Sequence, residues 1–284
     1  MHPIQKSESV DFRADLHSHT LFSDGTMSPQ ELIDLAIQSG LNALSITDHD
    51  TVEAYHQAIP YAKSKGFILG TGVEFSTEFK KHNVHILGYD IDVCHPFLLQ
   101  FCTKQHASRK ERNLKMLEKL RRFRFDISAS ELESLETFQR TIGRPHIAKI
   151  MVEKGYVRSI QEAFSLYLGD GKCCYQQGHT PSVAEAIDVI KQAGGKAFIA
   201  HPHLFEKGVF VKELLTHSFD GIECYYARCS KEKERRWLKI AAERGLLISG
   251  GSDFHGATKP HIPLGCSWVA KDEFSKIFSH HVLS

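Results

Sequence analysis

The chain has no C-x-x-C pair, no uninterrupted apolar run of 18 residues and almost no net charge. Each lack excludes something. Its seven cysteines (94, 102, 173, 174, 224, 229 and 266) are odd in number and spaced for neither a disulfide framework nor a thiolate zinc site. Reduced thiols in a cytoplasmic protein are the expectation. The opening "MHPIQKSESVDF" has no apolar core of a signal peptide, and no segment is long enough to span a bilayer, so no membrane role is expected. A net charge of +1 argues against coating nucleic acid or membrane through the overall field. Internal repeats and low-complexity tracts are also missing, and no feature requires an obligatory protein partner.

What the chain has in excess is histidine, 18 in 284 residues. That abundance points to metal or phosphate chemistry. Apolar content of 42% and charged content of 24% are those of an ordinary globular protein with ample core. From residue 12 to 90 short β-like runs alternate with helical segments: "FRADLH", a helix opened by the capping box Ser28-Pro29-Gln30-Glu31 and stopped at Gly40, "ALSIT", "TVEAYHQAIPYAKSKG", "FILGTGVEF" and "NVHILGY". This rhythm implies parallel strands with helices outside. It breaks between about 97 and 176, where one long helix (97–124) and three short ones (130–168) are expected without a strand. It then resumes with "KAFIAH", "GIECYY" and "LLISGG" between helices at 181–193, 211–217 and 230–244. An all-helical block inserted into an α/β frame is the simplest organisation, with 12–97 and 176–284 as the frame and 98–175 as the insertion.

The polar residues fall at strand ends. His17 and His19 end the first strand and Asp48-His49-Asp50 the second; Glu74 ends the third and His85 lies within the fourth. His201 and His203 end the fifth, and Asp253 and His255 the last. In a closed barrel of parallel strands the C-terminal ends meet at one mouth, where the loops carry chemistry. Alternate residues of a strand face one side, so His17 and His19 can share an ion while Ser18 turns away. Imidazole and carboxylate without thiolate suit manganese, iron or zinc rather than calcium. About nine such groups exceed the needs of one ion, so a cluster is expected. Adjacent divalent ions bind phosphoryl oxygens and turn a bridging water into a hydroxide nucleophile at neutral pH.

His17-x-His19, "TDHD" (47–50), "GVE" (72–74), His85, "AHP" (200–202) and "GSDFH" (251–255) together resemble the PHP (polymerase and histidinol phosphatase) superfamily, in order and across nearly the whole chain. The resemblance implies a distorted (β/α)7 barrel with an inserted helical cap and a three-metal site. It assigns His17, His19, Glu74 and Asp253 to one ion. Glu74 (bridging), His85 and His201 go to the second, and Asp24, His49 and His255 to the third. Glu74, Asp253 and His201 are the implied catalytic groups, and manganese the expected metal, with iron, zinc or magnesium as other ions such ligands accept. "GRPHIAKIMVEKG" (143–155) and "SIQEAFSLYLGDGKCCY" (159–175) resemble the stand-alone branch of 3',5'-nucleoside bisphosphate phosphatases and 5'-to-3' exoribonucleases. That branch anchors a 5'-phosphate and cleaves the phosphorus–3'-oxygen bond of a nucleotide or short RNA. Arg228-Cys229 departs from it, standing where a small residue and a histidine are expected before the serine.

Phosphate contacts are expected from Arg144, His146 and Lys172, since arginine offers a bidentate fork, lysine a point charge and the Arg144-Pro145-His146 turn a helix start. Residues 104–124 carry nine Lys/Arg against two Glu, which fits a solvated helix face or the path of an RNA strand. Asp50 reads as a cap for a helix from Thr51, Asp24 as a ligand or a turn residue, and Cys173-Cys174 as structural. His2, His280 and His281 lie in the tails and are not expected in the site. The competing functions are a histidinol-phosphate phosphatase, an amidohydrolase-type deaminase, which "TDHD" and "GVE" disfavour, and a metal-free PHP binding module.

Overall fold

Local chemistry fixes the first helix. Ser28 accepts the Glu31 N–H while Glu31 reaches back to the Ser28 N–H, Pro29 takes the first turn, and Leu32, Ile33 and Ala36 form the buried stripe. The chain leaves through Gly40 at φ +69°. The computed structural model describes residues 12–135, 141–204 and 208–283. His2 and residues 136–140 of the expected insertion therefore lie outside the described residues. The strands are β1 (Ala14–Asp15), β2 (Ala43–Ile46), β3 (Ile68–Phe79), β4 (His82–Tyr89), β5 (Lys196–Ile199), β6 (Gly221–Tyr226), β7 (Leu247–Gly251) and β8 (Val282–Leu283). The helices are α1 (Pro29–Gln38), α2 (Tyr55–Lys65), α3 (Pro96–Arg122), α4 (Ala129–Glu133), α5 (Arg144–Glu153), α6 (Ile160–Ala163), α7 (Val183–Gln192), α8 (Gly208–Leu214), α9 (Lys231–Arg244) and α10 (Lys271–Ile277).

Strands one to seven are neighbours in chain order, giving a nearly closed α/β barrel, with β8 added against β3. Isolated backbone bonds join the first strand to the last: Leu16 N–H to Gly250 O (3.2 Å), Asp253 N–H to His17 O (2.8 Å) and His19 N–H to Phe254 O (2.9 Å). The backbones approach so closely here that a Cβ on Gly251 would lie 2.4 Å from the His17 nitrogen. Glycine is required at that contact.

One expectation is corrected. The barrel is not wholly parallel, because β4 runs antiparallel to both β3 and β5. The reason is the connection: only Lys80 and Lys81 separate β3 from β4, both at positive φ (51° and 65°). Two residues of that conformation close a hairpin, whereas a parallel crossover needs a dozen or more. The second helix is shorter than its sequence pattern, starting at Tyr55. Asp50 does not cap it, since the N-cap is Ala54.

Between β4 and α7 the described residues hold helices and loops. They include the 27-residue α3 and a short π-helical turn at Phe164–Leu168. These helices bury their own apolar cluster, with Met116, Leu120, Ile147, Met151 and Leu168 among its members. The barrel strands pack their outer faces on α1, α2 and α7 through Leu44, Ile46, Leu69 and Ile190, and Leu16, Leu87 and Phe198 fill a third cluster under the mouth. No described helix is long and apolar enough to cross a membrane.

Candidate active site

The first strand carries its histidines as alternation requires. The Ser18 hydroxyl donates to the Ser45 carbonyl (2.8 Å), whereas His17 and His19 point inward. Their Nε2 atoms converge on two carboxylate oxygens. His17 Nε2 lies 3.3 Å from Glu74 Oε2 and 3.4 Å from Asp253 Oδ1; His19 Nε2 lies 3.2 Å from each. Glu74 is 1% exposed and meets histidines on both oxygens. His49 Nδ1 stands 3.2 Å from Oε2, His85 Nδ1 2.9 Å and His201 Nε2 3.0 Å from Oε1. On the far side Asp24 lies 3.2 Å from His255 Nε2 and 3.8 Å from both His49 and His19.

Three overlapping groups thus offer ligand atoms within 4.8 Å of one another. They are His17/His19/Glu74/Asp253, His19/Asp24/His49/His255 and His49/Glu74/His85. All nine expected ligands are brought to one place. His201 stands outside these three groups although it touches Glu74. The donor set fits divalent cations. Among the described residues, Nε2 of His17 and His19, Nδ1 of His49 and Oε2 of Glu74 are buried without a hydrogen-bond partner, an arrangement that is costly unless a cation at about 2.0–2.2 Å satisfies them. The cluster is a divalent-metal site.

Charge is arranged to suit. Burial alone would raise Glu74, Asp253 and Asp24. Yet the histidines around Glu74, Lys259 with His255 and His17 around Asp253, and His255 with His49 around Asp24 hold all three carboxyls well below their usual range. Burial pushes His49 well below its ordinary value, whereas the surrounding carboxylates outweigh burial at His17 and His19 and raise both. The carboxylates are therefore charged, and a bound cation would compete with protons for the imidazoles. His201 and Asp253 both adopt left-handed backbone (φ 29° and 55°), strain that clusters where side chains must be aimed.

A supporting layer lies behind these ligands. Glu223, fully buried in β6, lies 2.8 Å from His17 Nδ1 and accepts the His201 N–H at 2.6 Å. A carboxylate there makes Nδ1 the donor and turns Nε2 to the centre. The sequence signal for Glu223 was available, a lone acid inside the apolar run "GIECYY". Asp253 Oδ2 is taken by the Tyr226 hydroxyl (2.7 Å) and the Lys259 ammonium (2.6 Å). Asp48 of "TDHD" accepts the Thr20 N–H (2.7 Å) and the Ser23 hydroxyl (2.6 Å), which fixes the loop before Asp24.

A cavity of about 230 Å³ opens beside the cluster, its walls including Asp24, His49, His85 and His255. Facing them are four cations: Arg109 and Arg112 from α3, Arg144 from the start of α5, and Lys259. Arg144 bonds Asp170 at 2.5 Å and lies over the Phe164 and Tyr175 rings. Arg109 is held by Asp50, whose other oxygen accepts the Ser76 N–H. Arg112 has no ion pair among the described residues; its fork reaches only the Asn113 amide oxygen (2.9 Å). Burial first, then Arg109 and Arg144 beside it, push its pKa down to about 9.

Of the expected phosphate contacts, only Arg144 lines this cavity. His146 is 4% exposed, and its Nδ1 accepts the Gly143 N–H (3.0 Å) that opens α5. Lys172 is exposed and does not line the cavity. Neither is brought to the cluster, because the first caps a helix and the second points to solvent from the Gly169–Lys172 turn.

Comparison with known proteins agrees with this geometry. Residues 15–200 match the PHP domain family. The chain is 34% identical over 263 residues to the 5'-3' exoribonuclease Rnm of Escherichia coli, covering 88% of this chain and 87% of that one. It is 33% identical over 250 residues to the 3',5'-nucleoside bisphosphate phosphatase of Chromobacterium violaceum, covering 85% and 86%. A crystal structure from Bifidobacterium adolescentis assigned as a metal-dependent phosphoesterase superposes with a TM-score of 0.85 at 31% identity, covering 93% and 94%.

Proposed function

This chain belongs to the PHP family and is a metal-dependent phosphoric ester hydrolase, and from that premise we propose that it hydrolyses the 3'-phosphoester of 5'-phosphorylated nucleotides. Nucleoside 3',5'-bisphosphate would give nucleoside 5'-monophosphate, and short RNA would be shortened from its 5' end. One observation carries the reading: cations without enough acid to balance them face the ligand cluster across a single small cavity. A phosphate ester needs only the cluster. A second anionic group on the substrate accounts for Arg112 and Arg144.

In this reading His17, His19, Glu74 and Asp253 hold one ion, Glu74, His85 and His201 a second, and Asp24, His49 and His255 a third, with manganese the metal. Glu74, Asp253 and His201 are its catalytic groups. Bound ions would polarise the phosphoryl group and activate the attacking water. The chain supplies the rest. Glu223 sets the His17 tautomer, and Lys259 with Tyr226 occupies Asp253 Oδ2 so that Oδ1 stays aimed at the cluster. Arg112 and Arg144 grip the 5'-phosphate, which orients the 3'-phosphorus at the cluster; correct orientation is itself a large share of catalysis. Water oxygen then bonds to phosphorus, the phosphorus–3'-oxygen bond breaks, and the 3'-oxygen leaves carrying a proton. The helical block 98–175, which supplies the arginines, is the recognition domain.

The test is a side-by-side turnover assay of adenosine 3',5'-bisphosphate, adenosine 3'-monophosphate and 5'-phosphorylated or 5'-hydroxyl oligoribonucleotides, with manganese present. Preference for the 5'-phosphorylated member of each pair is expected. Equal turnover within both pairs would overturn it.

A further inference from the structure

Beside the arginine-lined cavity lies a second, larger one of about 610 Å³, which the reaction as described leaves unused. One wall is a stripe of α3 spaced by three or four residues, Leu99, Cys102, Thr103, His106, Ala107 and Lys110; the other is the turn after β2, Asp50 to Glu53. Thr141 borders both cavities. The partition between them is the ion pair of Asp50, which lines the larger cavity, with Arg109, which lines the smaller. The two spaces are thus neighbours on either side of one side-chain pair.

Their chemistry differs sharply. The larger cavity has apolar walls from Val52, Leu99 and Ala107, and burial raises the Cys102 thiol so that it too is neutral. Its one cation, Lys110, is paired with Glu133, and the acids Asp50 and Glu53 line it. A phosphate would find repulsion there. A flat, neutral, largely apolar group with amide or amine edges would find apolar faces and hydrogen-bonding rims at Glu53, His106 and Thr141. The Thr141 hydroxyl is buried and has no hydrogen-bond partner among the described residues. A concave pocket of this size that combines apolar walls with polar rims is the usual form of a small-molecule site.

We propose that this cavity binds the nucleobase of the substrate. The inference rests on the proposed 5'-phosphorylated nucleotide substrate and adds where its base goes. In a nucleotide the base and the 5'-phosphate leave the sugar in different directions. With both phosphates in the arginine-lined cavity, the base must enter a neighbouring one, and the Thr141 border provides it. Recognition here is by stacking and edge contact, so any base is accepted to some degree.

The experiment compares adenosine 3',5'-bisphosphate with baseless ribose 3,5-bisphosphate on the manganese-loaded protein, and adenosine 5'-monophosphate with ribose 5-phosphate by calorimetric titration of the metal-free protein. Ala107→Phe and Thr103→Phe fill the cavity from exposed helix positions outside the catalytic machinery. Both variants should raise KM for the nucleotide about tenfold and weaken adenosine 5'-monophosphate binding equally, with the ribose compounds unchanged within about twofold. Equal effects on nucleotide and ribose compounds, or a wild-type protein that binds both monophosphates alike, would overturn the proposal. Turnover of neither bisphosphate would sink the proposed function instead, and the titration would still decide where the base binds.

Discussion

The two faces of the active-site cavity are built on opposite plans. On the barrel side the groups are buried or nearly so: each acid meets histidines, and each of His17, His201 and Asp253 is braced from behind by Glu223, Tyr226 or Lys259. On the helical side three arginines stand together with two carboxylates, Asp50 and Asp170, between them. The first face is assembled for ions that stay, the second for an anion that comes and goes. A resident cation justifies lasting investment in positioning, whereas a transient ligand is better served by charge left partly uncompensated.

The contrast breaks most visibly if the barrel face is damaged. Glu74→Ala should abolish activity, by more than about a thousandfold, because in the proposed assignment its carboxylate serves two ions, each supplying several kcal/mol of charge stabilisation. Elemental analysis should show metal content falling with it. Activity retained in this variant, or surviving exhaustive dialysis against chelator, would refute the metal role. One layer out, Glu223→Gln should cost about 10–100-fold in metal affinity or turnover, read by metal titration; an unchanged affinity would show that His17 does not need its brace.

Damage to the helical face should be selective rather than total. Arg144→Ala and Arg112→Ala should each lower kcat/KM for adenosine 3',5'-bisphosphate by about ten- to a hundredfold, the worth of a charged contact of about 1.5–3 kcal/mol. Hydrolysis of the 3'-monophosphate should barely change; equal losses would mean that these arginines support the fold. The smallest effect concerns stability. Arg112→Met removes a half-buried cation that has no ion pair among the described residues, so the variant should melt no lower than the parent and up to about 4 °C higher. Inorganic phosphate should raise the parent's melting point and leave the variant's unchanged, as differential scanning calorimetry can measure.

The same contrast explains what could be read from the chain. The barrel ligands were legible because strand periodicity and strand ends decide where such side chains point; His17-x-His19 needs only alternation. The antiparallel β4 was missed: Lys80-Lys81 is too short for a crossover, but the βαβ rhythm on either side masks it. The arginine face was mostly hidden. Arg109 and Arg112 sit among eight Lys/Arg of one helix, and which two face inward depends on how that helix packs. Lys172 and His146 have the right chemistry but the wrong direction, because loop and capping geometry decide where they point.

Gly251 carries a consequence for how this protein can vary. The barrel closes through the His17 carbonyl and the His19 N–H, and Gly251 presses against that same backbone. Adding a single methyl group there would push the first strand aside, and with it two side chains of the cluster. Along this line the freedom to drift is lost: architecture and chemistry are inherited together, while the helical side of the cavity remains open to new arrangements of charge, and so to new substrates.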